Sequence, residues 1–316
     1  MAKIFLVAPL EDEETGKYLH DSIGQTGNSV AFLDWKEVIK DQSPKALNEL
    51  FLEAIEELNP DITLIIKCPL LSPASIRKAR EIHAHKIVGW IFDVTLSSTM
   101  VTKVPQYIDL IKEYDMFYTV DEDAVPELEA LGVKASWLSE GCFSPDHDAP
   151  ILNSIQKRKY GDEVVFLGAV GGIHPNRTKM LARLHKEGIP FKIYGQVRFE
   201  EGEDPEWCKD HHTGFAAINN YHSIVVGSSK IVLGIDGWPD RSRSYSARLY
   251  RTLAAGGFYL TTNTKNIDKE FVPGTHIAVY DDEEDLIEKI LHYLSNDDER
   301  ERIAKAGQKL VLENHT

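Results

Sequence analysis

The sequence predicts an α/β protein of two doubly wound domains, each built on a parallel sheet. Its 316 residues suffice for two domains of ordinary size. Short apolar runs alternate with amphipathic helical segments, which is the pattern of strand–helix–strand units. The alternation stops at a turn-rich segment over 139–160 and then starts again. We therefore expect one Rossmann-like domain at residues 1–150 and a second at 151–316, with 139–160 as the connection between them.

Six strands and five helices are predicted in the first half. The segment from Leu47 to Leu58 has apolar residues at helical spacing, and Ser43 before Pro44 is a typical helix start. The predicted strands are Lys3–Ala8, Ser29–Leu33, Ile62–Ile66, Lys86–Phe92, Met116–Val120 and Lys134–Leu138. The predicted helices lie near 12–26, 44–58, 73–84, 101–113 and 121–131.

The second half repeats the alternation around a polar insertion at 197–214. Its predicted strands are Val164–Leu167, Pro190–Tyr194, Lys230–Ile235, Phe258–Thr261 and His276–Tyr280. Its predicted helices lie near 175–187, 215–227, 245–255, 282–294 and 297–313. In open α/β sheets, ligands bind beyond the carboxyl ends of the strands, where the strand order reverses. Two such domains that face each other across a cleft would place function in the loops after the strands.

Composition excludes several classes of protein. With 42% apolar and 27% charged residues, the chain is globular, and no apolar run approaches the length of a membrane span. The net charge of −15 disfavours a large nucleic-acid footprint. The first residues are expected to form a strand rather than a secretory signal. Three scattered cysteines favour a reducing compartment, so the cytoplasm is the expected location.

A glycine-rich turn links a predicted strand to a predicted helix that begins at Pro175. It contains Gly168, Gly171 and Gly172, and Arg177 follows in the helix. Glycines let backbone N–H groups approach a ligand, and a helix N-terminus favours anions. The fingerprints of nicotinamide oxidoreductases and of P-loop NTPases are both missing. A plain tight turn is the alternative interpretation.

Four arginines lie within eleven residues, after the predicted strand Lys230–Ile235. They are Arg241, Arg243, Arg248 and Arg251. A guanidinium group is suited to bidentate contacts with phosphate, so this segment predicts an anion site in an otherwise acidic protein. A solvated charged surface is the alternative.

The second half resembles a known family from about Glu163 to the end. The resemblance rests on Ser229-Lys230-Ile231, Arg248-Leu249-Tyr250, Ala255-Gly256-Gly257, Phe271 with Gly274, Ile303-Ala304 with Gly307, and His315-Thr316. These segments are similar to the CgeB-like, or spore-maturation-type, branch of the GT-B glycosyltransferases. The first half matches more loosely, mainly in Trp90–Asp93 and Leu131–Val133.

The resemblance implies two Rossmann-like domains of the GT-B type and transfer of a sugar from a nucleoside-diphosphate sugar, with UDP favoured. It implies no cofactor beyond this co-substrate and no metal, since arginines can neutralise the departing diphosphate. The acceptor is open: a glycan, a protein, a small molecule or a modified base in phage-type DNA. The expected donor-binding residues are Gly168, Gly171, Gly172, Arg177, Asp236, Arg243, Tyr245, Ser246, Arg248 and Arg251.

One departure from the family keeps a second interpretation open. The family glutamate that commonly holds the donor ribose is Arg251 here, and retaining relatives often carry a second glutamate at the position of Arg243. This leaves inversion or retention open, and it also allows a binding module that holds a nucleotide sugar without turnover. Asp236 or Asp240 could then contact the ribose in place of a glutamate.

A transfer that inverts the anomeric centre needs a base, and a carboxylate at a strand end can serve. Asp93 is the expected catalytic residue, Asp34 is second, and His20 and Glu140 are weaker candidates. Two Asp-x-Asp segments, at 121–123 and 146–148, have the form of a manganese motif, but we expect no metal there. The paired histidines at 83, 85, 211 and 212 are expected at the surface.

Overall fold

The chain forms two compact units, Met1–Ser139 and Glu140–Thr316. The structure, a computed structural model, describes residues 1–10, 15–92, 104, 106–172, 174–199 and 205–316, without the side chains of 15, 144 and 145. Among these residues, no helix has the length and apolar character needed to cross a bilayer.

The first unit is a six-stranded parallel sheet in the order β2-β1-β3-β4-β5-β6, which confirms the predicted doubly wound topology. Its strands are β1 (Lys3–Val7), β2 (Ser29–Leu33), β3 (Ile62–Ile66), β4 (Lys86–Ile91), β5 (Met116–Thr119) and β6 (Ala135–Trp137). Its helices are α1 (Thr15–Gln25), α2 (Trp35–Asp41), α3 (Pro44–Leu58), α4 (Pro73–Ile82), α5 (Tyr107–Lys112) and α6 (Ala124–Ala130).

Local chemistry sets the helix ends in this unit. Ser43 accepts a hydrogen bond from the backbone N–H of Ala46 and begins α3, and Asn59 ends it in the left-handed conformation with φ 45°. Leu47, Phe51 and Ile55 form the buried face of α3. Helix α2 was not predicted, because seven residues are too few to show an apolar period.

The second unit contains a five-stranded parallel sheet in the order β13-β12-β11-β7-β9, and a separate two-stranded sheet of β8 and β10. Its strands are β7 (Val164–Leu167), β8 (Val170–Gly171), β9 (Lys192–Tyr194), β10 (Val197–Arg198), β11 (Ile231–Gly234), β12 (Tyr259–Thr262) and β13 (Ala278–Tyr280). Its helices are α7 (Ser144–His147), α8 (Ser154–Tyr160), α9 (Pro175–Lys186), α10 (Glu206–His211), α11 (Asn220–Ser228), α12 (Arg248–Ala254), α13 (Glu283–Leu294) and α14 (Asp297–Asn314).

The central strands of this sheet are covered on both faces. Every residue of β7, β11 and β12 is buried, as expected for parallel strands between two layers of helices. One apolar cluster includes Phe166 and Leu233, and another includes Val165 and Val232. Adjacent residues of each strand therefore point into opposite halves of the core.

Three predicted segments differ from the structure. The helix expected at 215–227 begins only at Asn220, because Asn219 before it has φ 50°. The helix expected at 245–255 begins at Arg248, after a loop in which Arg243 has φ 49°. The turn-rich segment expected as a connection contains α7 and α8, and Tyr160 at the end of α8 is buried in the second unit.

Candidate functional site

The strand order of the second sheet reverses beside β7. That strand pairs with β9 on one side and with β11 on the other, so the crossover from β7 to β9 and the crossover from β9 to β11 run in opposite directions. The loops after β7 and β11 therefore border the crevice in which open α/β sheets bind ligands. These are the loops of the glycine-rich turn and of the arginine segment.

Gly168 follows β7 directly and lies against two neighbouring groups. Its N–H donates to the Tyr194 carbonyl at the end of β9, at 3.0 Å. A Cβ on Gly168 would lie 2.5 Å from Nη2 of Arg248, and a Cβ on Gly195 would lie 2.1 Å from the Gly168 carbonyl oxygen. Gly195 is required for this approach, because its Cβ would meet backbone, whereas a Cβ on Gly168 would displace the flexible end of Arg248.

Arg248 is the first residue of α12, and its guanidinium reaches back over β7. Nε donates to the Leu167 carbonyl, and the guanidinium lies 4.9 Å from the ring centroid of Phe166. The Ser246 hydroxyl accepts from the Arg248 N–H at 3.1 Å. In the described part of the chain, buried Nη1 has no hydrogen-bond partner. The arginine is thus held in place with one donor still unsatisfied.

Arg177, in the first turn of α9, approaches Phe166 as well. Its Nε donates to the Ile235 carbonyl at 3.3 Å, and its Nη1 donates to the Ala169 carbonyl at 3.1 Å. Its guanidinium lies 5.7 Å from the Phe166 ring centroid. Burial, together with the positive charge of Arg248, lowers the Arg177 pKa to about 10. Two cations that disfavour each other in this way are stabilised by an anion placed between them.

Asp236 follows β11 and ties the arginine loop to the sheet. Its side chain is buried, and it accepts from the Thr261 hydroxyl at 3.3 Å and from the Ser246 backbone N–H. Burial raises the pKa of this carboxyl, while the charges of Arg248 and Arg177 oppose the rise. Asp236 is therefore an anchor for the loop before α12 and a partial counter-charge to the two arginines.

The structure adds two residues that sequence analysis missed, His174 and Arg198. A Cβ on Gly171 would lie 2.7 Å from the Arg198 carbonyl oxygen, so this glycine, with φ 83°, lets β8 and β10 pair. The Arg198 Nε donates to the Gln196 side chain at 2.9 Å. Burial and then the charges of Arg177, Arg198 and Arg248 lower the His174 pKa to about 4. Arg198 lay in the predicted insertion, where no spacing pattern could identify it.

Other expected donor-binding residues lie apart from Arg177 and Arg248. The Tyr245 hydroxyl donates to the Glu270 carboxylate, and its buried ring packs near Tyr250 and Phe271. The Arg243 N–H donates to the Lys265 carbonyl at 2.9 Å.

Arg251 acts electrostatically on three groups outside the arginine pair. They are Cys142, His147 and His222. Burial, followed by the charge of Arg251, lowers the His147 pKa to about 3. Arg251 thus acts on the pKa values of neighbouring groups, and Tyr245 contributes packing and a hydrogen bond within the second unit.

The candidates for a base have different surroundings. Asp93 lies outside the described residues. The Asp34 carboxylate accepts from the backbone N–H groups of Leu10 at 3.0 Å, Lys36 at 3.0 Å and Glu37 at 3.2 Å. It is thus the N-cap of α2. The remaining candidates also have partners: His20 Nδ1 lies 2.9 Å from Asp21, and Glu140 accepts from the Ala247 N–H at 3.2 Å.

Within the described ranges, no three His, Cys, Asp or Glu side chains are grouped as ligands for a metal ion. Asp121 of the first Asp-x-Asp segment is fully buried at the start of α6. His211 Nε2 lies 3.0 Å from His185 Nδ1, and His211 Nδ1 donates to the Phe191 carbonyl. Its ring stacks on Phe191 at 3.8 Å, so His211 packs against the protein and is not the freely solvated surface residue that was expected.

Comparison with known proteins connects this geometry to a family. Residues 177–316 match the family model described as glycosyl transferase-like. In sequence, no curated protein shows significant similarity to the chain.

Three of the solved structures that match this chain illustrate the similarity. Sucrose-phosphate synthase from Thermosynechococcus elongatus superposes with a TM-score of 0.69 at 10% identity, over 100% of this chain and 95% of that one. HepE from Anabaena in complex with UDP superposes with a TM-score of 0.69 at 11% identity, over 100% of this chain and 96% of HepE. A glycosyltransferase from Rickettsia africae superposes with a TM-score of 0.66 at 14% identity, over 100% of this chain and 94% of that one.

At these identities the structural matches establish the fold, which is GT-B, and the family match concerns the second unit, where the arginine pair lies. The chain accordingly has the GT-B fold, and its residues 177–316 are similar to the glycosyl transferase-like family.

Proposed function

We propose that this protein is a glycosyltransferase that takes its sugar from a nucleoside-diphosphate sugar, with a UDP-sugar favoured, and that the second unit holds the donor. The observation that carries the proposal is the arginine pair. Arg177 and Arg248 lie on one phenylalanine ring at the strand ends where the sheet order reverses. HepE, one of the proteins that share the fold, has been crystallised with UDP and with UDP-glucose.

The arginine pair suits the charge change of the reaction. When the sugar leaves, the diphosphate gains negative charge, and groups that stabilise this charge lower the barrier. Nη1 of Arg248 is buried without a partner in the described structure, so a diphosphate oxygen would complete its hydrogen bonding. Gly168 lies against the Arg248 guanidinium, which leaves its backbone close to the same ligand.

The proposal includes catalysis without a metal ion and membership of the CgeB-like branch. Two fixed guanidinium groups can supply the positive charge that a divalent cation provides in other transferases. We assign the acceptor side to the first unit and the base to Asp93. The acceptor belongs to one of four classes: a glycan, a protein, a small molecule or a modified base in DNA.

Titration calorimetry with UDP-, GDP-, ADP- and TDP-glucose tests the donor, with each titration repeated in EDTA. We expect UDP-glucose to bind most tightly and its affinity to be unchanged by the chelator. Binding that disappears in EDTA and returns with Mn²⁺ would refute metal independence. Failure of all four donors to bind would refute the donor site.

A labelled donor separates an enzyme from a module that only binds. We expect slow release of labelled sugar to water from UDP-glucose, and faster loss when a suitable acceptor is present. If the donor binds but its sugar never leaves it, with any acceptor class, the binding module is the correct interpretation.

A further inference from the structure

A small cavity lies next to the arginine pair and shares Arg177 with it. Its volume is about 150 Å³, and it is lined by His174, Pro175, Asn176, Arg177, Gly237 and Trp238. Pockets that enclose a whole drug-sized ligand measure roughly 300–1,000 Å³. This cavity therefore has room for one part of a nucleotide sugar and not for the complete molecule.

Trp238 gives the cavity an apolar wall that the protein leaves uncovered. The residue is 46% exposed, although two backbone hydrogen bonds hold its loop. The Arg241 N–H donates to the Trp238 carbonyl at 3.2 Å, and the Lys265 N–H donates to the Pro239 carbonyl at 2.8 Å. The indole is thus presented by a tethered backbone, and its Nε1–H has no hydrogen-bond partner among the described residues.

Two further polar groups of the cavity lack hydrogen-bond partners. The Asn176 side chain is exposed and the His174 ring is half-buried. In the described structure neither group makes a hydrogen bond to another residue, so both are accessible to a ligand. Burial and the three nearby arginines lower the His174 pKa to about 4, so the ring is neutral at pH 7. A neutral imidazole has one donor and one acceptor, and a primary amide has both. Hydroxyl groups, which also donate and accept, match such a lining.

We propose that this cavity is the subsite for the transferred sugar, a hexose. The CH groups of one ring face would pack on the Trp238 indole, and the Asn176 amide and the His174 ring would bind the hydroxyls at the ring edge. A sugar ring has an apolar face and a polar edge. The apolar face is complementary to the exposed indole, and the polar edge is complementary to the amide and the imidazole. In a nucleotide sugar the hexose is joined directly to the diphosphate, so its subsite must adjoin the arginine pair.

The inference rests on the proposed function, and the experiment separates the two. Calorimetry compares UDP with UDP-glucose in the wild type, Trp238→Ala, Trp238→Phe and Asn176→Ala. Phe32→Ala is the matched control, because Phe32 is an aromatic residue of the first unit that is 55% exposed. Thermal unfolding of each variant verifies that it is folded.

We expect Trp238→Ala to weaken UDP-glucose binding about tenfold while UDP affinity stays within about twofold. Trp238→Phe should recover most of the loss. Asn176→Ala should reduce the preference between UDP-glucose and UDP-galactose, which differ in one hydroxyl orientation, and Phe32→Ala should change neither affinity.

Equal weakening of UDP and UDP-glucose by Trp238→Ala would overturn the inference in favour of a nucleobase at the indole. Unchanged affinity for both would overturn it as well. If the wild type binds neither ligand and no other nucleotide sugar, the proposed function fails and the sugar subsite fails with it.

Discussion

The two sheets have the same topology but different residues at the same place. Taken in chain order, both place the first strand between the second and the third. In the first unit Ala8 follows β1 and its N–H donates to Leu33, the last residue of β2, at 3.1 Å. In the second unit Gly168 follows β7 and its N–H donates to Tyr194, the last residue of β9, at 3.0 Å. The backbone arrangement is repeated, and the side chains are not.

The residues after the third strand of each sheet differ as well. After β3 come Lys67, in the left-handed conformation with φ 45°, and Cys68, whose thiol pKa burial raises to about 12. After β11 comes the buried Asp236, within the field of two arginines. The first sheet has a methyl group where the second has space for a guanidinium. The topology thus determines where a ligand can bind, and a few residues determine which ligand it is.

The largest effect that this comparison predicts concerns Arg248. Arg248→Ala should weaken UDP-glucose binding roughly 100-fold, since it removes charged hydrogen bonds to the diphosphate. Lys67→Ala, a change of the cation that comes after the third strand of the first sheet, should leave donor affinity unchanged. Calorimetry on both variants measures the difference.

Urea denaturation is the control for Arg248→Ala, because the Arg248 side chain also contacts Leu167 and Phe166. A folded Arg248→Ala protein with normal donor affinity would remove the arginine pair from the site. An equal loss in Lys67→Ala would instead remove the distinction between the two sheets.

How far the sequence could predict these features depends on their range along the chain. Strands such as Val164–Leu167 were placed correctly because an unbroken apolar run is a local signal. The glycine turn and the arginine segment were also recognised from short local patterns, and their contact with a donor stays a prediction. Helix α12 was started too early, since nothing local shows that Arg243 adopts φ 49°.

Contacts between distant segments could not be predicted. Arg177 donates to Ile235, 58 positions away, and Tyr245 donates to Glu270, 25 positions away. The sequence could not show that the Tyr245 hydroxyl donates to Glu270, and a contact of Tyr245 with the donor stays a prediction. Arg198 was missed because only the pairing of β8 with β10 brings it to this region. His174 lies three residues before Arg177, but its closeness to Arg198 and Arg248 depends on contacts between distant segments.

A smaller effect is expected when Gly168, the residue after β7, is changed to alanine and Ala8, the residue after β1, is changed to glycine. Gly168→Ala places a Cβ 2.5 Å from Nη2 of Arg248, and the flexible end of that arginine must move away. We expect UDP-glucose affinity to fall about tenfold, equivalent to one charged hydrogen bond. Because Gly168 has φ 158°, which other residues rarely adopt, the urea midpoint should fall as well, and affinity is measured on protein shown to be folded. Ala8→Gly should cost about 1 kcal/mol of stability and leave donor affinity unchanged. A Gly168→Ala protein that binds normally would show that the contact with Arg248 is not needed.

The smallest effect concerns Asp34, the carboxylate after the second strand of the first sheet. Because three backbone N–H groups donate to it, Asp34→Ala should lower the free energy of unfolding by about 1–2 kcal/mol. Asp34→Asn keeps an N-cap acceptor and should be nearly as stable as the wild type. We also expect Asp34→Asn to retain its rate of sugar release. A fall of roughly 100-fold or more in a stable Asp34→Asn protein would make Asp34 the base, and the first sheet would then contribute chemistry from the residue that caps α2.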